Sequence, residues 1–362
     1  MSVFYTPVYI KMIKDIIIII LIINSIIIYT SNRFVHQSFI PFIIILLIIL
    51  QSSLNMLITN NYLNTLAGIR WILPVLLCFL IINQIDQRNM KSIIKILVKL
   101  LVVHFLFQLV QNLYYTTALA STIGASSIFG VVGRPGGLFH NPNGGALFSC
   151  LVYYYLSNYD CVSRKYLYKI LCIISIIFTA SATGMLILLF LIAINFIYRY
   201  HLEKILVIFL PFVFIFSLIN IGYLSGRGAG IYEGSLGQRA KLLYSAVSEM
   251  SLIPLNFGSA TSTAFILRKM GLNIETIAAD STITAILVNF GLWGLIVLLL
   301  VYVYTLYASL KIYDKKGISL AVLFLLTSMT MMVFEFFPVN LLLAITFSTI
   351  IVKNNYMRHL SR

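Results

Sequence analysis

Nine apolar runs, near residues 15–30, 39–58, 64–82, 93–112, 144–159, 204–224, 281–308, 318–336 and 338–352, fill most of the chain, and a tenth covers 166–199. Hydrocarbon offers a backbone no hydrogen-bond partners, so segments of this kind must pair their own N–H and C=O groups as helices. The tenth run is too long for one crossing at 1.5 Å of rise per residue. Its middle, Thr179-Ala180-Ser181-Ala182-Thr183-Gly184, is small and polar, which divides it into two short helices. The expected fold is therefore all-α: a polytopic helical integral membrane protein of about eleven spans, one domain over residues 1–362. With 60% hydrophobic and only 10% charged residues, the chain has too little polar surface for a soluble core of this length.

The formal charge of +15 raises the question of nucleic acid. The lysines and arginines, however, fall mostly in short loops between apolar runs, which is the pattern of topological anchoring, so no nucleic-acid partner is expected. Arg88, Lys91, Lys95 and Lys99 mark one side; Arg164, Lys165 and Lys169 share it, as do Arg199, His201 and Lys204, then Lys311, Lys315 and Lys316, then the tail from Lys353. These are the cytoplasmic loops by the charge rule. Segments 113–143, 180–184 and 225–279 then face the other side. The same alternation puts Lys11 and Lys14 outside, against the rule. The four cysteines lack metal or redox spacing and read as small packing residues.

The least membrane-like segment is Arg134-Pro135-Gly136-Gly137-Leu138-Phe139-His140-Asn141-Pro142-Asn143, followed by Gly144 and Gly145. Such a backbone belongs in water or in a polar cavity, and its glycines allow close approach to a ligand. The loop 225–279 is long enough to imply a job or structure of its own. Within it Ser235-Leu236-Gly237-Gln238 has capping-box form, and Leu236, Ala240, Leu243, Val247 and Met250 recur at spacings of three and four. An amphipathic helix is expected there. Arg239 shares its apolar stripe, either snorkelling to lipid phosphate or meeting an anion in a cavity. Arg227 sits in a flexible Ser-Gly-Arg-Gly stretch that favours plain solvation. Asp280, before Ser281 and Thr282, can cap the next helix or act as a base.

Four landmarks resemble the polymerases and ligases of bacterial O-antigen. The segment 134–143 looks like their R-x-x-G-x-F-x-N-P-N turn, and Ser181-Ala182-Thr183-Gly184 resembles the break between their two short central helices. Arg239 stands where they carry an arginine on the amphipathic helix of the large periplasmic loop. Asp280-Ser281, followed by Gly291-Leu292-Trp293-Gly294, resembles the start of the next helix and its terminal turn. The resemblance covers residues 134–294; the first 130 residues match in hydropathy alone. Ligases usually carry histidine where this chain has Asp280, which tilts the likeness to the polymerase.

The resemblance implies a multi-pass protein of the bacterial inner membrane whose donor and acceptor are oligosaccharides linked to undecaprenyl diphosphate, with a chain-length regulator as a further partner and membrane lipid around it. Arg239 and Arg134 are then the cations that stabilise the departing diphosphate, and Asp280 the group that accepts the acceptor proton. Gly137, Asn141, Asn143, Arg227, Ser181 and Ser281 are the substrate-binding candidates. No cofactor or metal is expected, since arginines supply the charge and the sequence has no acidic metal cluster. The alternatives are an O-antigen ligase acting on lipid A-core, a transporter of the lipid-linked oligosaccharide and a non-catalytic scaffold.

Overall fold

A computed structural model of the chain describes residues 8–31, 40–59, 61–81, 87–116, 134–139, 141–199, 235–248, 256–269, 271–272, 276–277, 279, 281–311, 315–333, 339–340 and 342. Among these residues the regular elements are all helices. They are α1 (Val8–Ser31), α2 (Ile40–Thr59), α3 (Tyr62–Ile81), α4 (Gln87–Thr116), α5 (Pro142–Asn158), α6 (Lys165–Phe178), α7 (Ala182–Arg199), α8 (Ser235–Ser248), α9 (Ser262–Lys269), α10 (Thr282–Lys311) and α11 (Lys315–Thr330). The stretches Met90–Leu113 and Thr282–Leu300 are long and apolar enough to cross a membrane, by length and composition. The expected span at 204–224 lies outside the described residues.

The chain forms two compact units. The first comprises Met1–Pro7, Ile85–Leu236 and Ser309–Thr327; the second comprises Val8–Gln84, Gly237–Ala308 and Ser328–Arg362. In the first, α5 packs against α4, α6 and α7, and from Gly144 to Leu156 every residue is buried. A helix covered on all sides needs small residues where neighbours cross closely. Gly184 of α7 is one: a Cβ there would lie 2.5 Å from the Ala146 Cβ. Beside it the Cys150 thiol donates to the Gly184 carbonyl, 3.4 Å away. Asn141 caps α5, its side chain accepting the Asn143 amide at 2.9 Å, and Pro142 takes the first helical position, where its missing N–H costs nothing.

The apolar run over 166–199 is indeed two helices. α6 ends at Phe178, Thr179 and Ala180 form a turn, and α7 begins at Ala182. Ala180 carries a left-handed φ of 46°, strained for any residue with a Cβ.

In the second unit α3 packs on α1 and α2. Ile18 and Ile22 meet Leu76 and Leu77 in one cluster. Trp71, Phe257, Ala285, Ile286 and Phe290 form another. The turn at 256–261 is held to α3 and α10 by two devices. Gly258, at φ +90°, approaches so closely that a Cβ would fall 1.7 Å from the Asn64 carbonyl oxygen. The buried Asn289 Oδ1 accepts the amides of Gly258 (2.9 Å) and Ala260 (3.4 Å). The helical backbone after the long loop is interrupted at its G-L-W-G segment: Gly291 has a φ of 66° and a ψ of −156°, which suit glycine alone, and a second helical stretch follows to Lys311.

Candidate functional site

The segment that begins at Arg134 is docked inside the first unit, against a polar face of α4. His104, Gln108 and Gln111, spaced by four and three residues, lie on that one face and are all buried. Gln111 Oε1 accepts the Gly137 amide at 2.8 Å, and its Nε2 donates to the Gly137 carbonyl at 3.2 Å. The Leu138 amide donates to His104 Nδ1 at 3.0 Å. Gln108 Nε2 donates to the Pro135 carbonyl (3.4 Å) and to the Ser175 carbonyl (3.1 Å), while its Oε1 accepts from the Ser175 hydroxyl at 2.7 Å. The turn also closes on itself through Phe139 N–H donating to the Gly136 carbonyl at 3.1 Å.

Gly136, Gly137 and Gly145 lie in close contact with other parts of the protein. At Gly137, with φ +63°, a Cβ would meet the His104 ring at 2.4 Å, and at Gly145 it would meet the Gly136 carbonyl oxygen at 2.5 Å. The Gly137 and Leu138 amides are taken by side chains of α4. His104 also stacks edge-on against Phe139 and Phe148, with centroids 5.7 and 5.4 Å away. Because Nδ1 accepts, the neutral ring carries its proton on Nε2, which is buried without a hydrogen-bond partner among the described residues.

Arg134 reaches the other way, to the junction of α6 and α7. Its Nε donates to the Thr179 carbonyl at 3.2 Å, and one Nη donates to the Ala180 carbonyl (3.1 Å) and to Asn143 Oδ1 (3.4 Å). The two carbonyls belong to the C-terminal end of α6, where orphan acceptors and the helix dipole favour a cation. Asn143 Oδ1 also accepts the Ser181 hydroxyl at 2.8 Å, and Ser181 Oγ accepts the Gly184 amide at 3.2 Å, which caps α7. Arg134, Asn143 and Ser181 thus form one hydrogen-bonded network around a half-buried guanidinium. The arrangement can present a fixed, permanently charged group beside a strained backbone turn.

The other expected site residues are placed as follows. Asn141 serves as the cap of α5 and Gly137 as the close contact to α4. Ser281, in the second unit, caps α10 by accepting the Thr284 amide at 3.1 Å, so the cap considered for Asp280 is supplied by its neighbour. Arg239 lies on α8, which confirms a helix after Ser235, but its side chain is outside the described residues. Asp280 and Arg227 also lie outside them. Among the described residues no group of three His, Cys, Asp or Glu side chains could hold a metal ion. His104, Gln108, Gln111 and Ser175 are not among the candidates drawn from the sequence. The signal for the first three is there: polar residues at one helical face of an otherwise apolar run. Neither a protein-family model nor a curated protein sequence matches the chain.

Proposed function

We propose that the chain is a multi-pass inner-membrane glycosyltransferase of the O-antigen polymerase type, joining undecaprenyl-diphosphate-linked repeat units at the periplasmic face. The network of Arg134, Asn143 and Ser181 carries the proposal. Two stretches that resemble the polymerases and ligases separately, the glycine- and proline-rich turn and the polar break near Ser181, are one structural feature. A guanidinium pinned by a helix end and an asparagine loses little freedom on meeting an anion, which is the preorganisation that charge stabilisation requires. The membrane reading draws on the two long apolar helices and on the outer surface of α1. There Ile16, Ile17, Ile19, Ile20, Ile23 and Ile27 are 43–58% exposed, a surface for lipid and not for water.

In this reaction an acceptor sugar hydroxyl forms a bond to the donor anomeric carbon. The bond from that carbon to the bridging phosphate oxygen breaks, and the lipid diphosphate leaves with the electron pair. Arg134 and Arg239 offset the charge that develops on it, and the Asp280 carboxylate takes the hydroxyl proton. Chain length is set with a separate regulator. In a strain lacking the gene, the wild-type protein restores a polysaccharide ladder on a gel. Arg134→Ala or Arg239→Ala, at matched protein level, leaves a single repeat on core. Normal ladders from both variants remove the arginines from the mechanism. A deletion that leaves core with no repeat at all identifies ligation or flipping as the step lost.

A further inference from the structure

The end of the first unit opposite Arg134 gathers cations from three helices. Lys165 and Lys169 stand at the start of α6, Lys315 and Lys316 at the start of α11, and Lys91 and Lys95 near the start of α4. The Tyr154 hydroxyl donates to the Lys316 carbonyl at 3.1 Å, which ties α11 to the last turn of α5. Three tyrosines hold the ammonium groups in place. Lys316 Nζ lies 4.1 Å from the Tyr159 ring centroid, Lys169 Nζ lies 5.6 Å from Tyr153 and 5.9 Å from Tyr166, and Lys165 Nζ lies 5.6 Å from Tyr166.

Negative charge at this end is scarce. Asp160 is the one carboxylate among the described residues of this unit, and it is bonded to Lys165. That bond, with the field of Lys165 and more distantly of Lys169 and Lys316, holds its carboxyl below the usual range. Burial lowers the Lys315 ammonium, and repulsion from Lys169 and Lys165 lowers it further. Burial raises the Cys161 thiol against the opposing pull of Lys91 and Lys95, which puts the start of α4 in the same field. Across the sequence segments 86–99, 160–169 and 311–316, with 4, 3 and 3 cations and one acid in each, Lys and Arg outnumber Asp and Glu ten to three.

What adjoins these cations is apolar. Tyr166, Leu167 and Ile170 of α6 are 71%, 58% and 54% exposed, and Ile96 of α4 is 58% exposed. A free phosphate has no use for such a border; an amphiphile with a phosphate head and acyl chains matches both parts. Tyrosines among the lysines fit headgroup depth. We infer that this end of the first unit is a binding site for the phosphate of an anionic phospholipid, with Lys169, Lys315 and Lys316 as its cations and the exposed flanks of α4 and α6 as its acyl surface. The inference rests on the membrane reading above and is independent of the polymerase chemistry.

The test uses the full chain in detergent, with native mass spectrometry of bound lipid. Phosphatidylglycerol and phosphatidylcholine are titrated in parallel, with and without inorganic phosphate. Wild type should retain phosphatidylglycerol in preference to phosphatidylcholine. Lys169→Gln, Lys315→Gln and Lys316→Gln should each weaken that retention about fivefold, and Arg268→Gln, in the other unit, should leave it unchanged. Equal retention of the two lipids overturns the site, as does undiminished phosphatidylglycerol binding by all three variants. Displacement of the lipid by inorganic phosphate overturns it in favour of a free-anion site. Carbonate extraction of membranes tests the underlying reading by itself. Release of the chain into the supernatant defeats the membrane assignment, whereas retention without a lipid preference defeats the site alone.

Discussion

At Gly137 two constraints coincide. The residue has φ +63°, and a Cβ would come within 2.4 Å of the His104 ring and 2.8 Å of the His104 carbonyl. Gly271, at φ +84°, has open space where a Cβ would go. Gly137→Ala should therefore lower stability by about 2–4 kcal/mol, conformational strain plus overpacking, and Gly271→Ala by about 1 kcal/mol, strain alone. Thermal melts of the two purified variants compare them directly; equal losses would refute the packing role of Gly137. Asp160 gives a pH prediction of small size, because the pair with Lys165 is at the surface. Its folded carboxyl titrates below the unfolded one, so its stabilisation is present above the ordinary carboxylate range and is lost as pH falls through the lowered value. Asp160→Asn should be slightly less stable than wild type at neutral pH, with the difference shrinking in high salt and vanishing in acid. A difference that grows in acid contradicts the assignment.

The element that matters most to the candidate site is α4. Its face of His104, Gln108 and Gln111 supplies the hydrogen bonds that the turn after Arg134 cannot make for itself. Gln111→Leu keeps the helix apolar yet strands the Gly137 N–H and carbonyl, at about 1–3 kcal/mol for each group left unpaired. The expected outcome is a lower melting temperature together with a shortened polysaccharide ladder. A loss of stability with a full ladder would make α4 a scaffold with no bearing on the reaction. Sequence made the two helices of the run 166–199 legible, because a small polar stretch interrupts an overlong apolar one. It did not make the polar face of α4 stand out, since three scattered polar residues become a face only at helical spacing. The run 281–308 and the glycine of its G-L-W-G segment were legible as well, and the backbone break at Gly291 divides that run. A glycine can end a helix or kink it, and packing of Phe290 and Trp293 in the surrounding cluster accompanies the break here.

At the scale of the molecule, the described charge and apolar surface are best followed within the first unit. Within the first unit, α6 separates the cation-rich end at Lys165 from the Arg134 network at Thr179, and its 14 residues span about 21 Å. On the membrane reading these two ends face opposite compartments. Single cysteines placed at the exposed positions Arg164 and Ala180, with the native cysteines replaced, should separate accordingly. An impermeant maleimide should label Ala180→Cys in intact spheroplasts and Arg164→Cys after lysis alone. The reverse pattern would invert the topology and move the proposed reaction to the cytoplasm.

Sequence by itself determined the class of structure, since long apolar runs permit little besides helices. It also determined where the polar breaks fall. Tertiary structure alone decided that Arg134 and Asn143 meet the turn at 179–181, because those contacts close 38 to 46 residues of intervening chain through α5 and α6. It decided too that the glycines of the turn face protein: a left-handed φ can be guessed from a glycine, but what lies opposite its missing side chain is set by how helices pack.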